Sequence, residues 1–124
     1  MNKSYLIFLF LLTSTITLGQ ISENTNNELN SIESLSQNEL EDLNLLLNLS
    51  QEQKEQIYEI ISGVLIKNNQ VKSMKLIEED KKAIIERNEK SKSQMIMEIL
   101  IGKQKTLYEK KNSQITEHKG SNHG

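Results

Sequence analysis

Apolar residues recur at helical spacing along most of the chain, and polar residues fill the positions between them. No stretch keeps the strict alternation of apolar and polar residues that is typical of a strand. The longest apolar stripe follows the i, i+3, i+4, i+7 spacing and contains Ile57, Ile60, Ile61, Val64, Leu65, Val71, Met74 and Ile77. The pattern predicts an all-α fold, in which a short helix precedes long amphipathic helices arranged as a helical hairpin or a cradle-like dimer.

Two capping boxes predict where helices begin. In such a box a Ser hydroxyl accepts a hydrogen bond from the N–H three residues later, and a Glu or Gln side chain there accepts one from the Ser N–H. Ser36-Gln37-Asn38-Glu39 predicts a short helix over about 37–47, and Ser50-Gln51-Glu52-Gln53 opens a longer one. The connections between helices are therefore expected to be capping-box turns.

The region 66–99 can be interpreted in two ways. Residues 86–94 are nine consecutive polar residues, so they form either a solvated stretch of one long helix or the turn of a hairpin. An apolar face resumes at Met95 and Ile96, a break is expected at Gly102, and a last helix is predicted from Gln104 to about Ser113.

The first nineteen residues have the pattern of a secretory signal peptide, with Lys3 before an apolar run over 5–12 and small residues before Gln20. The alternative, an N-terminal membrane anchor, would need about 20 apolar residues. We expect cleavage after Gly19, a periplasmic or secreted protein, and no membrane span in the mature chain. The remaining chain divides into a flexible arm over 20–35, a helical domain over 36–113 and a disordered tail over 114–124.

The composition of the 124 residues excludes most kinds of catalytic and metal-binding site. There is no Cys, Pro or Trp, so thiol nucleophiles, thiolate metal sites and disulfides are excluded. The chain lacks the glycine-rich phosphate loops and the metalloprotease motif. His118 and His123 have no spacing that fixes a metal geometry. We expect no enzyme activity, no cofactor and no metal site.

Charge is distributed unevenly along the chain. The formal net charge is −2, with nine acidic residues and one Lys in 20–59 and eight acidic residues and thirteen basic ones in 60–124. A balanced total gives no reason to expect nucleic-acid binding. The two halves carry −8 and +5, which favours antiparallel pairing with a second copy. A small aliphatic core without cross-links also favours a homodimer.

A short motif occurs twice. Leu49-Ser50-Gln51-Glu52-Gln53 is followed by Ile57-Tyr58-Glu59, and Leu100-Ile101-Gly102-Lys103-Gln104 is followed by Leu107-Tyr108-Glu109. With these two boxes, the chain resembles the Spy/CpxP-type periplasmic proteins, which carry two LTxxQ motifs. The second box departs from the family pattern, because Ile101 replaces the Thr.

The resemblance implies a helical, often dimeric protein that acts as an ATP-independent chaperone or envelope-stress adaptor. Its partners would be unfolded or partly folded envelope proteins. The alternatives are a structural or regulatory protein of an envelope signalling complex and a metal-sensing relative. Motif residues are Leu49, Ser50, Gln53, Leu100 and Gln104. The predicted client-contacting residues, some of which could instead pack in the core, are Ile57, Tyr58, Ile61, Met74, Met95, Tyr108, Lys72, Lys75, Lys81 and Lys82.

Overall fold

The computed structural model describes residues 23–121, and the side chains of 26–115. This part of the chain contains four helices and no strand, which confirms the all-α class: α1 (Glu23–Leu47), α2 (Gln51–Lys72), α3 (Glu78–Ile99) and α4 (Lys103–Ser121). None of these helices has both the length and the apolar character needed to cross a bilayer. The predicted signal peptide, 1–19, lies outside the described residues.

Helix α1 is longer than the sequence predicts and begins at Glu23, so the arm expected over 20–35 is wrong for residues 23–35. Ser36 is not a helix cap. It lies inside α1, fully buried, and its hydroxyl donates a 2.6 Å hydrogen bond to the carbonyl oxygen of Ile32. The apolar stripe that begins at Ile32 packs on α2, and such tertiary contact overrides a polar composition of low helix propensity.

Helices α2 and α3 pack side by side and are joined by residues 73–77. The apolar stripe does not predict a break here, because it continues through Met74 and Ile77. The backbone N–H of Ser73 donates to the carbonyl oxygens of Gln70 and Val71, which ends α2 without a glycine. Leu76 and Ile77 are exposed at this turn, so the predicted stripe is interrupted where the chain reverses.

The polar stretch 86–94 is helical and lies within α3. It is not a fully solvated segment, however. Asn88, Glu89 and Lys92 are half-buried and bond to side chains of the neighbouring helices. A polar sequence can therefore line part of an interior when its groups find partners there.

Helix α4 continues past Ser113 to Ser121, through most of the tail that was expected to be disordered. No Gly or Pro occurs between Lys103 and Lys119, so no residue of that kind ends the helix at the expected position. Residues 122–124 lie outside the described part of the chain.

The core is almost entirely aliphatic and lies where α1, α2 and α3 meet the start of α4. Tyr108 is its one aromatic member. Every buried side-chain nitrogen and oxygen within the described residues has a hydrogen-bond partner. The buried residues of this cluster, which we call the main core, are Leu40, Leu43, Leu47, Leu49, Ile57, Ile60, Ile61, Ile96, Leu100 and Tyr108.

Candidate functional site

The first capping box forms as predicted. Ser50 Oγ accepts a 3.1 Å hydrogen bond from the backbone N–H of Gln53, and Gln53 Oε1 accepts a 3.0 Å bond from the backbone N–H of Ser50. Leu49, just before the cap, is buried in the main core, and its backbone N–H donates to Asn44 Oδ1. The box thus fixes the start of α2 against the end of α1.

The second box keeps only one of these two bonds. Gln104 Oε1 accepts a 3.1 Å hydrogen bond from the backbone N–H of Ile101, as Gln53 does at the first box. Ile101 has no hydroxyl, so the side-chain half of the box is missing. Leu100 is buried in the main core, like Leu49. Gly102 adopts a positive φ of 47°, which favours glycine.

The two glutamines pair with each other. Gln53 Nε2 donates to Gln104 Oε1 at 2.8 Å, and Gln104 Nε2 donates to Gln53 Oε1 at 3.0 Å. This reciprocal contact, which we call the glutamine pair, joins the first turn of α2 to the first turn of α4. The sequence motif identifies both residues but does not reveal that they meet.

Two backbone carbonyls complete the glutamine pair. Gln53 Nε2 also donates to the carbonyl oxygen of Ile99, and Gln104 Nε2 donates to that of Leu47, both at 3.2 Å. A primary amide has two N–H donors and an oxygen with two lone pairs. Each amide therefore makes every bond that it can make, and the pair connects the ends of α1 and α3 to the starts of α2 and α4.

The two copies of the motif differ by one residue in the spacing between the Gln and the Tyr, so residues that look equivalent in sequence are not equivalent in the structure. Ile57 lies four residues after Gln53, and Tyr108 lies four residues after Gln104, and both are buried in the main core. Tyr58 is only partly buried and packs against the edge of that core. The two tyrosines are therefore not structural counterparts.

Several predicted client-contacting residues are inside the protein. Ile57, Ile61 and Tyr108 belong to the main core, so a client cannot reach them in this arrangement. Met95 is half-buried and packs against the same core, as Tyr58 does. The assignment of Ile57, Ile61 and Tyr108 to an open surface is wrong, because the helix faces that carry them pack against neighbouring helices.

The remaining predicted client-contacting residues lie together at the turn between α2 and α3. We call residues 72–82 the tip. Met74 is 48% exposed there, and Lys72, Lys75 and Lys82 are also exposed. Lys81 is less exposed, since its Nζ donates to the carbonyl oxygen of Lys72 and pairs with Glu78 at 3.6 Å.

Two further apolar residues belong to the tip, and no sequence motif marks them for binding. Leu76 is 39% exposed and Ile77 is 64% exposed, beside Met74. Ile77 matched the helical stripe, so the sequence placed it in the core. The tip lies at the opposite end of α2 from the glutamine pair, and the 22 residues of α2 span roughly 30 Å.

Polar side chains of α1, α2 and α3 form a connected network. Lys92 Nζ of α3 lies 2.7 Å from Glu39 Oε1 of α1 and 2.8 Å from Glu89 Oε2. Asn68 of α2 donates to Glu89 Oε1 at 3.4 Å and accepts from Asn88 at 3.0 Å. We call these five residues the polar layer. The sequence does not predict their burial, since three of them lie in the stretch 86–94, where every residue is polar.

Two carboxylates, Glu39 and Glu89, stabilise the protonated form of Lys92. Burial is the largest single influence and by itself lowers the pKa of Lys92. The hydrogen bonds and charges of Glu39 and Glu89 together outweigh it, so the pKa of Lys92 is raised above its usual value of 10.5. Lys92 therefore remains protonated at neutral pH and ties α1 to α3.

Among the described residues, no group of three or more His, Asp or Glu side chains is arranged to hold a metal ion. The two histidines, His118 and His123, lie beyond the described side chains. No protein-family profile, no curated protein and no solved structure matches this chain.

Proposed function

We propose that the protein is a non-enzymatic binding protein that holds apolar segments of unfolded or partly folded proteins at its tip, without nucleotide. The observation that carries the proposal is the exposure of Met74, Leu76 and Ile77 on one turn. Clustered exposed apolar side chains on a soluble surface are typical of interaction sites. A methionine among them lets the surface adapt to varied partners.

The lysines around these side chains support a preference for clients with acidic flanks. Lys72, Lys75 and Lys82 are exposed beside the apolar residues of the tip. Their positive charge would speed the encounter with acidic segments, whereas the apolar contact would slow release. Glu78, Glu79 and Asp80 follow at the start of α3, so the attraction is local and not a property of the whole tip.

The setting of this activity is part of the proposal. The signal-peptide pattern of residues 1–19 supports a periplasmic or secreted protein. The motif over 49–53 and the second Gln at 104 support membership of the LTxxQ-motif group, and with it a role as chaperone or stress adaptor. The charge of the helices supports a homodimer, since α1 carries six acidic residues and no basic one, whereas α4 carries five Lys and two Glu.

The experiment measures light scattering of an aggregating model client in the presence of the purified protein and without nucleotide. We expect suppression of aggregation by the unmodified protein and a marked loss in Ile77→Ser. The matched control is Leu45→Ser, because Leu45 is 85% exposed on α1 and its replacement removes a similar apolar side chain away from the tip. Circular dichroism checks that both variants stay helical.

Two results would count against the proposal in different ways. Equal loss, or no loss, in the two variants would show that the tip is not the binding site. If a several-fold excess of the unmodified protein leaves the scattering unchanged, the chaperone function fails. A regulatory interaction protein would then be the better description.

A further inference from the structure

The buried residues of α2 belong to the main core at one end of the helix but not at the other. Near the glutamine pair the buried residues are Ile57, Ile60 and Ile61, which belong to the main core. Farther toward the tip the buried residues are Val64, Asn68 and Val71, and none of them belongs to that core. The apolar packing that holds the helices together therefore becomes thinner toward the tip.

The other two helices show the same change at the polar layer. On α3, Ile96 is followed in the direction of the tip by Lys92, Glu89 and Asn88, and then by the half-buried Ile84 and Ile85. On α1, Leu40 is followed in that direction by Glu39 and then by the buried Ser36 and Ile32. The polar layer thus separates the main core from a small apolar group next to the tip.

From this division we propose that residues 69–85, the distal segment, open and close as a unit while the glutamine-pair end stays folded. Of the apolar side chains within the distal segment, only Val71 is buried, and only Ile84 and Ile85 are half-buried, so opening it uncovers little apolar surface of its own. Opening the other end would uncover the ten residues of the main core and break the saturated glutamine pair. Segments with few buried apolar contacts open at much lower free energy than the core.

The polar layer controls this opening through a chain of contacts. Lys92 forms ion pairs with Glu39 and with one oxygen of Glu89. The other oxygen of Glu89 accepts a hydrogen bond from Asn68 on α2. This chain fastens α2 to α3 at the boundary of the distal segment. The side chains of Glu39 and Glu89 are 36% and 45% exposed, so added salt weakens both pairs.

Opening would place Val71, Ile84 and Ile85 beside the apolar residues of the tip. This consequence rests on the function proposed above, since it makes the open form the one with the larger client-binding surface. A client that binds the open form would shift the protein toward it in proportion to its preference for that form. The distal segment would then act as a gate for client capture that needs no nucleotide.

The test is hydrogen exchange of the full chain, compared between residues 69–85 and residues 53–61. In Glu89→Gln, we expect exchange in the distal segment to rise roughly two- to fivefold, as the loss of one partly exposed ion pair predicts, while 53–61 stays unchanged. The matched control is Glu86→Gln, the same change at an exposed position one turn away on α3. The unmodified protein should show the same selective increase in about 0.5 M NaCl.

The outcomes separate this inference from the proposed function. Equal acceleration of both segments, or no change in either, overturns the opening unit. Selective opening of Glu89→Gln without greater suppression of client aggregation keeps the opening unit and removes its role in client capture. Suppression of aggregation by a protein whose two segments exchange together supports the proposed function and overturns the gate.

Discussion

At the scale of single residues, the glutamine pair shows how much one side chain can connect. Gln53 makes four contacts: with the cap of its own helix, with Gln104 twice and with the carbonyl oxygen of Ile99. An amide is the only uncharged side-chain group that offers two donors and two acceptors in this arrangement. A Glu at position 53 would place a carboxylate oxygen, which only accepts, against the acceptor oxygens of Ile99 and Gln104. A Met would fill the same space but form none of these hydrogen bonds.

The Ser50 hydroxyl is expected to stabilise the start of α2, since it accepts the Gln53 N–H. Ser50→Ala should lower the free energy of unfolding by about 1 kcal/mol. Ile101→Ala is the matched control, because Ile101 occupies the same place in the second box, is 70% exposed and has no hydroxyl to lose. Urea unfolding measures both, and an unchanged midpoint for Ser50→Ala would contradict the capping argument.

Two glycines should respond to alanine in opposite directions. Gly63 lies in α2 with nothing within 4 Å of an added Cβ, so Gly63→Ala should stabilise the protein by roughly 0.5–1 kcal/mol. Gly102 has equally open space but a φ of 47°, so Gly102→Ala should destabilise it by about 1 kcal/mol. Thermal unfolding of the two variants tests the signs, and shifts in the same direction would be inconsistent with this account.

At the scale of the helices, the turns decide how the four elements meet. The turn between α1 and α2 contains Asn48 at a φ of 51° and a complete capping box. The turn between α3 and α4 contains Gly102 and only half of a capping box. Both turns present a buried leucine, Leu49 or Leu100, to the main core. The glutamine pair then links the two turns, so neither helix pair closes independently of the other.

A double-mutant cycle tests that link. Gln53→Met and Gln104→Met should each lower the free energy of unfolding, because each removes two of the four bonds of the partner amide and leaves one backbone N–H and one carbonyl without their side-chain partner. The double variant should cost less than the sum of the two, with a coupling of roughly 0.5–3 kcal/mol. Strict additivity in urea unfolding would show that the pair contributes nothing as a pair.

At the scale of the whole molecule, Lys92 is the residue through which α1 and α3 are tied. Its pKa in the folded protein is raised above 10.5, so the folded state holds the proton more tightly than the unfolded chain. The stabilisation is fully present below about pH 10.5 and is lost as the pH rises through the folded pKa. The free energy of unfolding should therefore fall more steeply above this pH in the unmodified protein than in Lys92→Met, as urea titrations at several pH values would show.

Self-association is the second expectation at this scale. The acidic α1 and the basic α4 contact each other far less than α1 and α2 do, and Tyr108 is the one buried residue of α4 among its described side chains. Pairing of α4 with α1 of a second copy would bring opposite charges together. Sedimentation should detect a dimer whose affinity falls with added salt. A monomer at all salt concentrations would contradict this expectation.

The sequence by itself determined the helical class, the first capping box and the positions of both glutamines. These features depend on local spacing, which a single segment expresses without its neighbours. The same reasoning failed at α1, where packing on α2 makes a polar segment helical, and at residues 73–77, where the apolar stripe gives no sign of a turn.

Only the tertiary structure decided which apolar residues are covered and which polar residues meet. Ile57 and Ile77 follow the same helical spacing, yet one is in the main core and the other is exposed at the tip, because the chain reverses between them. The contacts of Glu39 with Lys92 and of Gln53 with Gln104 join residues about fifty positions apart. No local pattern specifies such contacts, since they depend on how whole helices are placed against one another.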